Sequence, residues 1–243
     1  MSRKSVVLYS GGLDAFGIDQ LFEPDERVFV DVGTEEAEKE RSLLMVNGDR
    51  HHSVNMEWLS AFEGDDKIIP FRNTFFVLAG ACYGDDVLLG ATAGDGVDTA
   101  DTTEEWAQSV QAVLRQYHDG PEETAPSVEL PLSEYTKADI VSRLVKAKGL
   151  SLRTIHERTK SCHYGSRTAG CGECVGCVRR FVAFACEIDL SDDLSLDDVE
   201  AWFQSDIVEF ILENEEFLFG EFAERGREFS QFKFVLDRLR RRA

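Results

Sequence analysis

Residues 6–14 read VVLYSGGLD, and this stretch decides the fold of the 243-residue chain. The run Val6–Tyr9 is short and apolar, with two β-branched residues at its start, which is typical of a buried strand. A Ser-Gly-Gly turn follows, and a helix is predicted after it. Because glycines lack Cβ atoms, backbone N–H groups can face an anion there, and the helix N-terminus adds partial positive charge. The pattern predicts a phosphate-binding corner, and an ordinary strand–turn–helix corner is the alternative.

Two polar side chains belong to this glycine corner. Ser10 offers a hydroxyl group to the same phosphate. Asp14 either holds a magnesium ion or caps the helix. The sequence G-x4-GK[ST] does not occur here, so the corner is not a Walker A loop.

Four cysteines follow the spacing C-x8-C-x2-C-x2-C; they are Cys162, Cys171, Cys174 and Cys177. The overlapping C-x2-C steps allow neighbouring thiolates to reach one ion, and nearby glycines let the backbone turn tightly. Four sulfur ligands with no nearby carboxylate predict a closed, tetrahedral, structural zinc site. Buried or disulfide-bonded cysteines and an iron–sulfur cluster are the alternatives. The other two cysteines, Cys82 and Cys186, are predicted to pack in the core.

Strand and helix patterns alternate along the first 130 residues. The predicted strands are Val6–Tyr9, Val28–Asp31, Val54–Trp58, Val87–Gly90 and Val128–Leu130. The predicted helices are Ala15–Phe22, Ala37–Leu44, Phe75–Tyr83 and Glu104–Gln116. Such alternation favours an α/β fold with a doubly wound, mostly parallel sheet. Ligands of these sheets bind at the carboxyl ends of the strands, where the glycine corner lies.

The glycine corner and the cysteine spacing together resemble the PP-loop ATP pyrophosphatases, whose signature is SGGxDS. The pair is similar, more narrowly, to the 7-cyano-7-deazaguanine synthases (QueC-type), which carry a C-terminal four-cysteine zinc site of this spacing. Further matches follow in the family's order. They are PFRN at 70–73, which resembles PGRN, VLLG at 87–90, the acidic loop DGVD at 95–98, ELPL at 129–132 and TKADIV at 136–141. The resemblance covers roughly residues 5–185.

The resemblance implies a fold, a set of cofactors and a set of site residues. The fold is that of the adenine nucleotide alpha-hydrolases, with a zinc-binding loop and a helical C-terminal extension. The cofactors are ATP, Mg²⁺ and Zn²⁺, and the four cysteines bind the zinc ion. The residues expected to contact ATP are Tyr9, Ser10, Gly11, Gly12, Leu13, Asp14, Asp31 and Val32. Ser10, Asp14 and Lys137 are expected to act in catalysis, with Lys137 meeting the ATP phosphates.

Four residues are assigned to the substrate by the same resemblance: Arg72, Asn73, Asp95 and Asp98. Simpler roles stay open. Arg72 and Asn73 can instead cap the helix that follows. Asp95 and Asp98 can form a turn or bind magnesium. Lys137 can be a solvated lysine at a helix start.

The implied reaction joins 7-carboxy-7-deazaguanine and ammonia at the expense of ATP. A carboxylate repels nucleophiles and its oxide is a poor leaving group, so ATP first converts it to an acyl adenylate and releases pyrophosphate. Ammonia then displaces AMP to give an amide. A second ATP drives elimination to the nitrile, 7-cyano-7-deazaguanine (preQ0). The implied substrates are therefore small molecules.

Departures from the family's pattern put the substrate in question more than the use of ATP. Ala15 stands where the family has a second serine, and residues 32–36, VGTEE, stand where it reads roughly YGQRH. One alternative is a diverged PP-loop ligase that stops at the amide or adenylates another carboxylate, for example on a protein or tRNA. Another is a zinc-stabilised scaffold that keeps a degenerate nucleotide site.

Composition limits the class of partner. The formal net charge is −20, with 46 acidic against 26 basic side chains, so direct binding to duplex nucleic acid is disfavoured. No apolar run approaches the ~20 residues that span a bilayer, and no membrane segment is expected. Residues 1–4 lead into a strand, so no secretory signal is expected either. Clustered metal-type cysteines fit a reducing compartment, and we expect a cytoplasmic protein.

The predicted domain organisation has two parts. Residues 1–185 form the PP-loop domain, including the cysteines at 162–177, and residues 186–243 form an acidic helical extension. Apolar residues recur at helical spacing in the extension, and acidic residues fill the gaps. The favoured interpretation is a set of helices that pack on the core. A docking face for a partner protein or for a second subunit in a homodimer is the alternative.

Overall fold

The computed structural model describes residues 3–242 apart from 66, 98, 119, 121–123, 161, 163–169, 191–193 and 204–205. Five strands form one sheet: β1 (Ser5–Leu8), β2 (Glu26–Asp31), β3 (His52–Asn55), β4 (Asp86–Leu88) and β5 (Ser127–Glu129). The strand order is β3-β2-β1-β4-β5, and every neighbouring pair is parallel. The predicted α/β fold with a parallel sheet is therefore confirmed.

Four helices connect these strands: α1 (Leu13–Phe22), α2 (Glu35–Asn47), α3 (Arg72–Gly80) and α4 (Glu104–Gln116). The chain moves outward from β1 to β3 and then returns across the sheet to β4 and β5. Right-handed crossovers in these two directions place α1 and α2 on one face and α3 and α4 on the other. The sheet is therefore doubly wound.

Internal contacts divide the chain into two compact units, Met1–Ser133 and Glu134–Ala243. The second unit is helical: α5 (Lys137–Lys148), α6 (Leu152–Arg158), α7 (Val175–Cys186), α8 (Leu196–Trp202), α9 (Ile207–Glu213), α10 (Glu215–Ala223) and α11 (Arg227–Arg240). None of the helices in the described part of the chain has the length and apolarity needed to cross a membrane.

Helix α7 is the centre of the second unit. Val178, Phe181 and Phe184 are fully buried, and α5, α8, α9 and α11 all pack against this helix. Helices α8, α9 and α11 of the predicted extension thus pack against α7. The domain boundary predicted after residue 185 falls at the end of α7, and it stays a prediction, as does a docking role for the extension.

Local hydrogen bonds end two elements earlier than the sequence pattern predicts. Strand β3 stops at Asn55, because the chain then turns: the Leu59 N–H donates to the Met56 carbonyl (2.9 Å) and a 3-10 helix, Glu57–Phe62, follows. Helix α3 ends at Gly80 and the next residues form turns. The prediction that Cys82 packs in the core is consequently wrong, because this cysteine lies exposed after the helix.

Polar side chains cap several of the helices. Thr34 caps α2 and Thr103 caps α4, each by accepting from a backbone N–H in the first turn. Thr136 with Asp139 and Ser195 with Asp198 form complete capping boxes on α5 and α8. Such caps fix where a helix begins and contribute about 1 kcal/mol each.

Gly84 permits the close packing of the segment before β4 on the segment before β1. A Cβ at Gly84 would lie 2.4 Å from Val6 Cγ2 and 2.7 Å from the Lys4 carbonyl oxygen. That carbonyl is held in place because it accepts from the N–H groups of Asp85 and Asp86. We expect Gly84→Ala to lower the free energy of unfolding by about 2–3 kcal/mol, measured by urea denaturation.

The control for this change is Gly220→Ala. Gly220 lies within α10, and a Cβ added there would meet no atom of another described segment within 4 Å. Alanine should raise stability there by about 0.5–1 kcal/mol, because it favours the helix. Equal unfolding free energies for the two variants would contradict the packing argument.

Candidate functional site

The glycine corner joins β1 to α1 at the carboxyl edge of the sheet. Gly11 has a φ of +76°, a conformation that residues with side chains rarely adopt. Gly12 precedes the first turn of α1, and no side chain in the described residues caps this helix. The Gly12 N–H donates to Ser10 Oγ at 3.3 Å. The first N–H groups of α1 have no partner within the helix, and such a helix start can hold an anion.

The corner lies at the point where the strand order reverses. Connections from β1 and β4 leave toward opposite faces of the sheet, and a crevice forms between their carboxyl ends. Gly90, which follows β4, closes one side of the crevice: a Cβ there would lie 3.1 Å from Asp14 Cβ and 3.2 Å from Ala15 N. The loop after β4 therefore packs directly on the first turn of α1.

Tyr9 and Leu13, the predicted ATP-contact residues on either side of the Ser-Gly-Gly turn, have buried side chains. Tyr9 is 1% exposed, and its hydroxyl donates to an Asp49 carboxylate oxygen at 3.3 Å. Leu13 is fully buried. These side chains anchor the corner to the core, so any contact they make with a nucleotide would come from their backbone atoms.

The end of β2 is fixed by hydrogen bonds and an ion pair. Asp31 Oδ1 accepts from the Gly33 N–H (3.0 Å), and its Oδ2 pairs with Arg41 of α2 (2.9 Å). Val32 is 5% exposed. The carboxylate of Asp31 thus has partners within the protein, and Arg41 is a cation at this edge that the sequence analysis missed.

The predicted substrate residues of α3 lie at its first turn. The Asn73 side-chain amide donates to the Asp101 carbonyl at 3.2 Å, and its backbone N–H faces the Asp101 carboxylate at 3.4 Å. The Arg72 guanidinium lies 5.8 Å from the centre of the Phe76 ring. Asn73 therefore ties the helix start to the loop that precedes α4.

The acidic loop contains a turn of the kind left open above. Asp95 Oδ2 accepts from the Thr92 N–H at 2.7 Å and from the Thr92 hydroxyl at 2.8 Å. This carboxylate oxygen shapes its own loop. Asp98 lies outside the described residues, so its predicted role is untouched by the structure.

Lys137 belongs to the second unit, where it is the first residue of α5. It is 7% exposed, so the alternative of a solvated lysine is wrong. Its backbone N–H faces Oε1 of Glu228 at 3.5 Å, the long limit of a hydrogen bond. Because Lys137 is this deeply buried, the surrounding atoms limit the directions in which its side chain can point.

The four cysteines come together in the second unit. Their sulfur atoms all lie within 4.8 Å of one another, and the sulfurs of Cys171 and Cys177 are 3.9 Å apart. All four are free thiols, so the disulfide alternative is wrong. A tetrahedral zinc site with ~2.3 Å bonds has sulfur–sulfur edges of about 3.8 Å. The geometry fits one ion better than a cluster of several irons, which spreads its ligands further apart.

The backbone is arranged around these sulfurs. Gly170 has a φ of +85°, and a Cβ there would lie 2.7 Å from Cys177 Sγ. The Cys171 N–H points at Cys162 Sγ (3.1 Å), and the Cys177 N–H points at Cys174 Sγ (3.4 Å). Such N–H···S contacts stabilise metal-bound thiolates.

The crowding of the four sulfur atoms favours a cation between them. Hydrogen bonding to Cys162 and then to Cys174, followed by burial, raises the pKa of the Cys177 thiol far above its usual value. Four thiolates this close repel one another unless a positive charge lies between them. The cluster is therefore compatible with zinc binding.

A comparison with known families identifies the chain. The family model of the queuosine biosynthesis protein QueC matches residues 27–187. The protein belongs to the QueC family. The match runs from β2 through α7 and includes all four cysteines of the cluster, whereas the glycine corner precedes it and helices α8–α11 follow it.

Three curated relatives are each named 7-cyano-7-deazaguanine synthase. The protein of Thermoplasma volcanium is 27% identical over 240 aligned positions, 86% of this chain and 97% of the relative. That of Kineococcus radiotolerans is 29% identical over 76% of this chain and 94% of its own. That of Thermoplasma acidophilum is 31% identical over 48% of each chain. Since 86% of 243 residues is about 209, the first match includes part of the helices beyond residue 187.

Both departures from the QueC pattern have structural roles. Ala15 is 6% exposed and packs in the core at the first turn of α1. In the VGTEE stretch, the Thr34 side chain accepts from the Ala37 N–H at 3.2 Å and so begins α2. A cleft of about 580 Å³ lies beside this turn, with Glu57 and Trp58 also in its lining. Three glutamates and one arginine, Arg41, are the charged residues that line this cleft.

Arg180 is a buried cation next to the QueC cysteine cluster that the sequence analysis missed. It is 2% exposed and donates to the carbonyls of His156 (2.6 Å) and Thr159 (2.7 Å). Burial lowers its pKa to about 10, and the charges of Cys177 and Cys162 oppose that fall. No carboxylate among the described residues pairs with it, and the negative charge that Cys177 and Cys162 would carry as metal-bound thiolates would offset the cost of its burial. Its position three residues after Cys177, on the same helix face, was the available signal.

His156 packs beside Arg180 and against the rings of Phe184, Trp202 and Phe203. Burial, followed by the nearby charges of Arg180 and Arg153, lowers the pKa of His156 to about 3. This imidazole is therefore neutral in the folded protein at ordinary pH.

We expect His156 to make the protein less stable in mild acid. Between about pH 6.5 and pH 3 the unfolded chain binds a proton at this residue and the folded chain does not, so the free energy of unfolding falls as the pH drops below about 6.5. The contribution is at most about 1.4 kcal/mol per pH unit. Urea denaturation at pH 7.5, 6.5 and 5.5 should show a steeper decline for the wild type than for His156→Gln. Parallel declines would overturn this assignment.

Proposed function

We propose that this protein makes 7-cyano-7-deazaguanine from 7-carboxy-7-deazaguanine and ammonia, with ATP as the activating substrate. The observation that carries the proposal is a glycine corner, with an uncapped helix start, at the switch point of a parallel sheet in a chain of the QueC family. The relatives' names supply the product.

The glycine corner would hold the part of ATP that leaves as pyrophosphate. An oxygen of the substrate carboxylate attacks the α-phosphorus, the bond between the α-phosphorus and its bridging oxygen breaks, and an acyl adenylate forms. Negative charge grows on the departing phosphate. The backbone N–H groups at Gly11 and Gly12, the Ser10 hydroxyl and the N-terminus of α1 would meet that charge with dipoles that are already oriented.

The remaining steps replace oxygen by nitrogen. Ammonia attacks the acyl carbon, AMP leaves and a proton is released, which gives the amide. The amide oxygen then attacks the α-phosphorus of a second ATP and pyrophosphate leaves. Loss of AMP and of the two amide protons produces the nitrile. Each cycle thus consumes two ATP and yields two AMP and two pyrophosphate.

Asp14 and Lys137 would complete the charge balance. Asp14 lies half-buried in the first turn of α1, beside the corner, and is the carboxylate placed to hold magnesium. Magnesium, when bound, neutralises charge on the phosphates. Lys137, buried at the start of α5, is proposed to meet the phosphates as the resemblance implies. Arg72, Asn73, Asp95 and Asp98 stay proposed substrate contacts.

The cysteine cluster would hold a structural zinc ion. Its four sulfurs leave no open position for a substrate, so the ion would brace the fold rather than act in the chemistry. The N–H···S contacts and the buried charge of Arg180 suit a site with four thiolates. Free thiols of this kind require a reducing environment, and we place the proposed enzyme in the cytoplasm.

The mass of the product tests the proposed reaction. Purified protein with 7-carboxy-7-deazaguanine, ATP, magnesium and ammonium should give the nitrile, together with AMP and pyrophosphate. An amide as the final product would instead indicate a ligase that stops halfway. Formation of ADP and phosphate would contradict the role of the glycine corner.

We expect Asp14→Asn to lower AMP release by at least about 100-fold, because the magnesium-binding charge is lost. Zinc content and circular dichroism should stay as in the wild type. Asp65→Asn, the same change at an exposed turn of the same unit, is the control and should leave AMP release unchanged. Unfolding of Asp14→Asn would show that this carboxylate has a structural role instead.

We expect Cys174→Ser to reduce zinc from about one ion per chain to almost none, because three thiolates hold the ion much more weakly than four. Cys82→Ser is the matched control, since Cys82 is exposed and outside the cluster. Elemental analysis after dialysis against a weak chelator measures both. Full zinc retention in Cys174→Ser would refute the assigned ligand set.

A further inference from the structure

Helix α11 begins with two charged residues that reach the start of α5. Gly226 precedes the helix with a φ of +55°, which suits a glycine at this sharp turn. Arg227 and Glu228 follow it. Glu228 is 4% exposed, which is unusual for a carboxylate and calls for partners.

Those partners come from two helices. Arg179 of α7, itself 8% exposed, donates to Glu228 through Nε (2.9 Å) and Nη2 (3.1 Å), so the guanidinium and the carboxylate form a two-pronged pair. The Lys137 N–H faces the same carboxylate at 3.5 Å. A negative charge at this position also interacts favourably with the N-terminus of α5.

Arg227 also contacts the start of α5. Its guanidinium donates to the Glu134 carbonyl (3.3 Å) and to the Asp139 carboxylate. Asp139 in turn accepts from the Thr136 N–H at 2.8 Å, as half of the capping box of α5. The first turn of α5 is therefore fixed by its own cap and by the first two residues of α11.

We infer that Glu228 is a positioning residue for Lys137. By fixing the backbone of the first turn of α5, it gives the lysine side chain one direction. The inference rests on the proposed function, in which Lys137 meets the ATP phosphates. Glu228 lies on α11, in the C-terminal extension, beyond the part of the chain that the QueC family model matches. The inference therefore also gives this extension a role in the reaction.

Stability alone gives a weaker account of this arrangement. A buried guanidinium–carboxylate pair loses about as much by desolvation as it gains by attraction, so apolar residues of similar size often serve a fold equally well. What the charged pair adds is a fixed geometry. Arg179 joins that geometry to α7, whose first turns carry Cys174 and Cys177.

The test measures the effect of Glu228→Gln twice, once in the wild-type protein and once in the Lys137→Ala variant. Glutamine keeps the size of the side chain and removes its charge. Titration calorimetry with α,β-methylene-ATP and magnesium gives nucleotide affinity without turnover, and the rate of nitrile formation gives kcat/KM for ATP. We expect Glu228→Gln to lower each about 10- to 100-fold, because a misdirected group far from the chemistry costs this much.

The same change is then made in Lys137→Ala. With no lysine to direct, Glu228→Gln should alter nucleotide affinity less than about 2-fold, since coupled residues do not act additively. Equal losses in both backgrounds would overturn the inference and leave Glu228 with a purely structural role. Glu215→Gln is the matched control, because Glu215 pairs with Arg240 at the surface of the same extension.

The outcomes distinguish a loss of folding from a loss of nucleotide binding or of nitrile formation. If Glu228→Gln is unstable, Arg179→Gln/Glu228→Gln removes both charges and is measured instead, with the same expected dependence on Lys137. If the wild type binds the nucleotide but forms no nitrile, the proposed reaction is refuted. The comparison of nucleotide affinities in the two backgrounds still tests the role of Glu228. If the wild type forms nitrile and Glu228→Gln causes the same loss of nucleotide affinity with and without Lys137, only the positioning role is refuted. No nucleotide binding by the wild type would overturn both.

Discussion

Parallel pairing of β1 with both β2 and β4 is the constraint on which the first unit depends. The chain turns back across the sheet between these neighbours, so connections at the carboxyl end of β1 diverge and a crevice results. The glycine corner fills this crevice, and Gly90 lets the β4 loop approach the start of α1. The proposed phosphate site therefore depends on the strand order as much as on the glycines themselves.

Buried cations have a comparable importance in the second unit. Arg179 and Arg180 are neighbours on α7, and both are almost completely buried. One is matched by the carboxylate of Glu228, and the other lies near the thiolates of the cluster. A buried guanidinium is costly unless its charge is met. The cysteine cluster, α7 and α11 thus stabilise one another through charge as well as through apolar contact.

Local patterns predicted much of this protein. The apolar run and glycines located β1, the corner and α1 within two residues, and cysteine spacing located the cluster. Contacts between distant residues were not predictable in this way. Glu228 contacts Lys137, 91 residues away in the sequence, and Arg179, 49 residues away. The spacing of apolar residues along the chain contains no information on such pairs. The wrong prediction for Cys82 has a local cause instead, because turn hydrogen bonds end α3 at Gly80, before that cysteine.

The position of the cysteines on α7 has a consequence for the living cell. Cys174 caps this helix and Cys177 lies in its first turn, while the rest of the helix is the core of the second unit. If the cluster holds zinc as proposed, scarcity of the metal would leave newly made chains with an incomplete core, exposed to proteolysis. Cells starved of zinc would then lose the enzyme itself, and supply of the deazapurine would follow nutrient metal status.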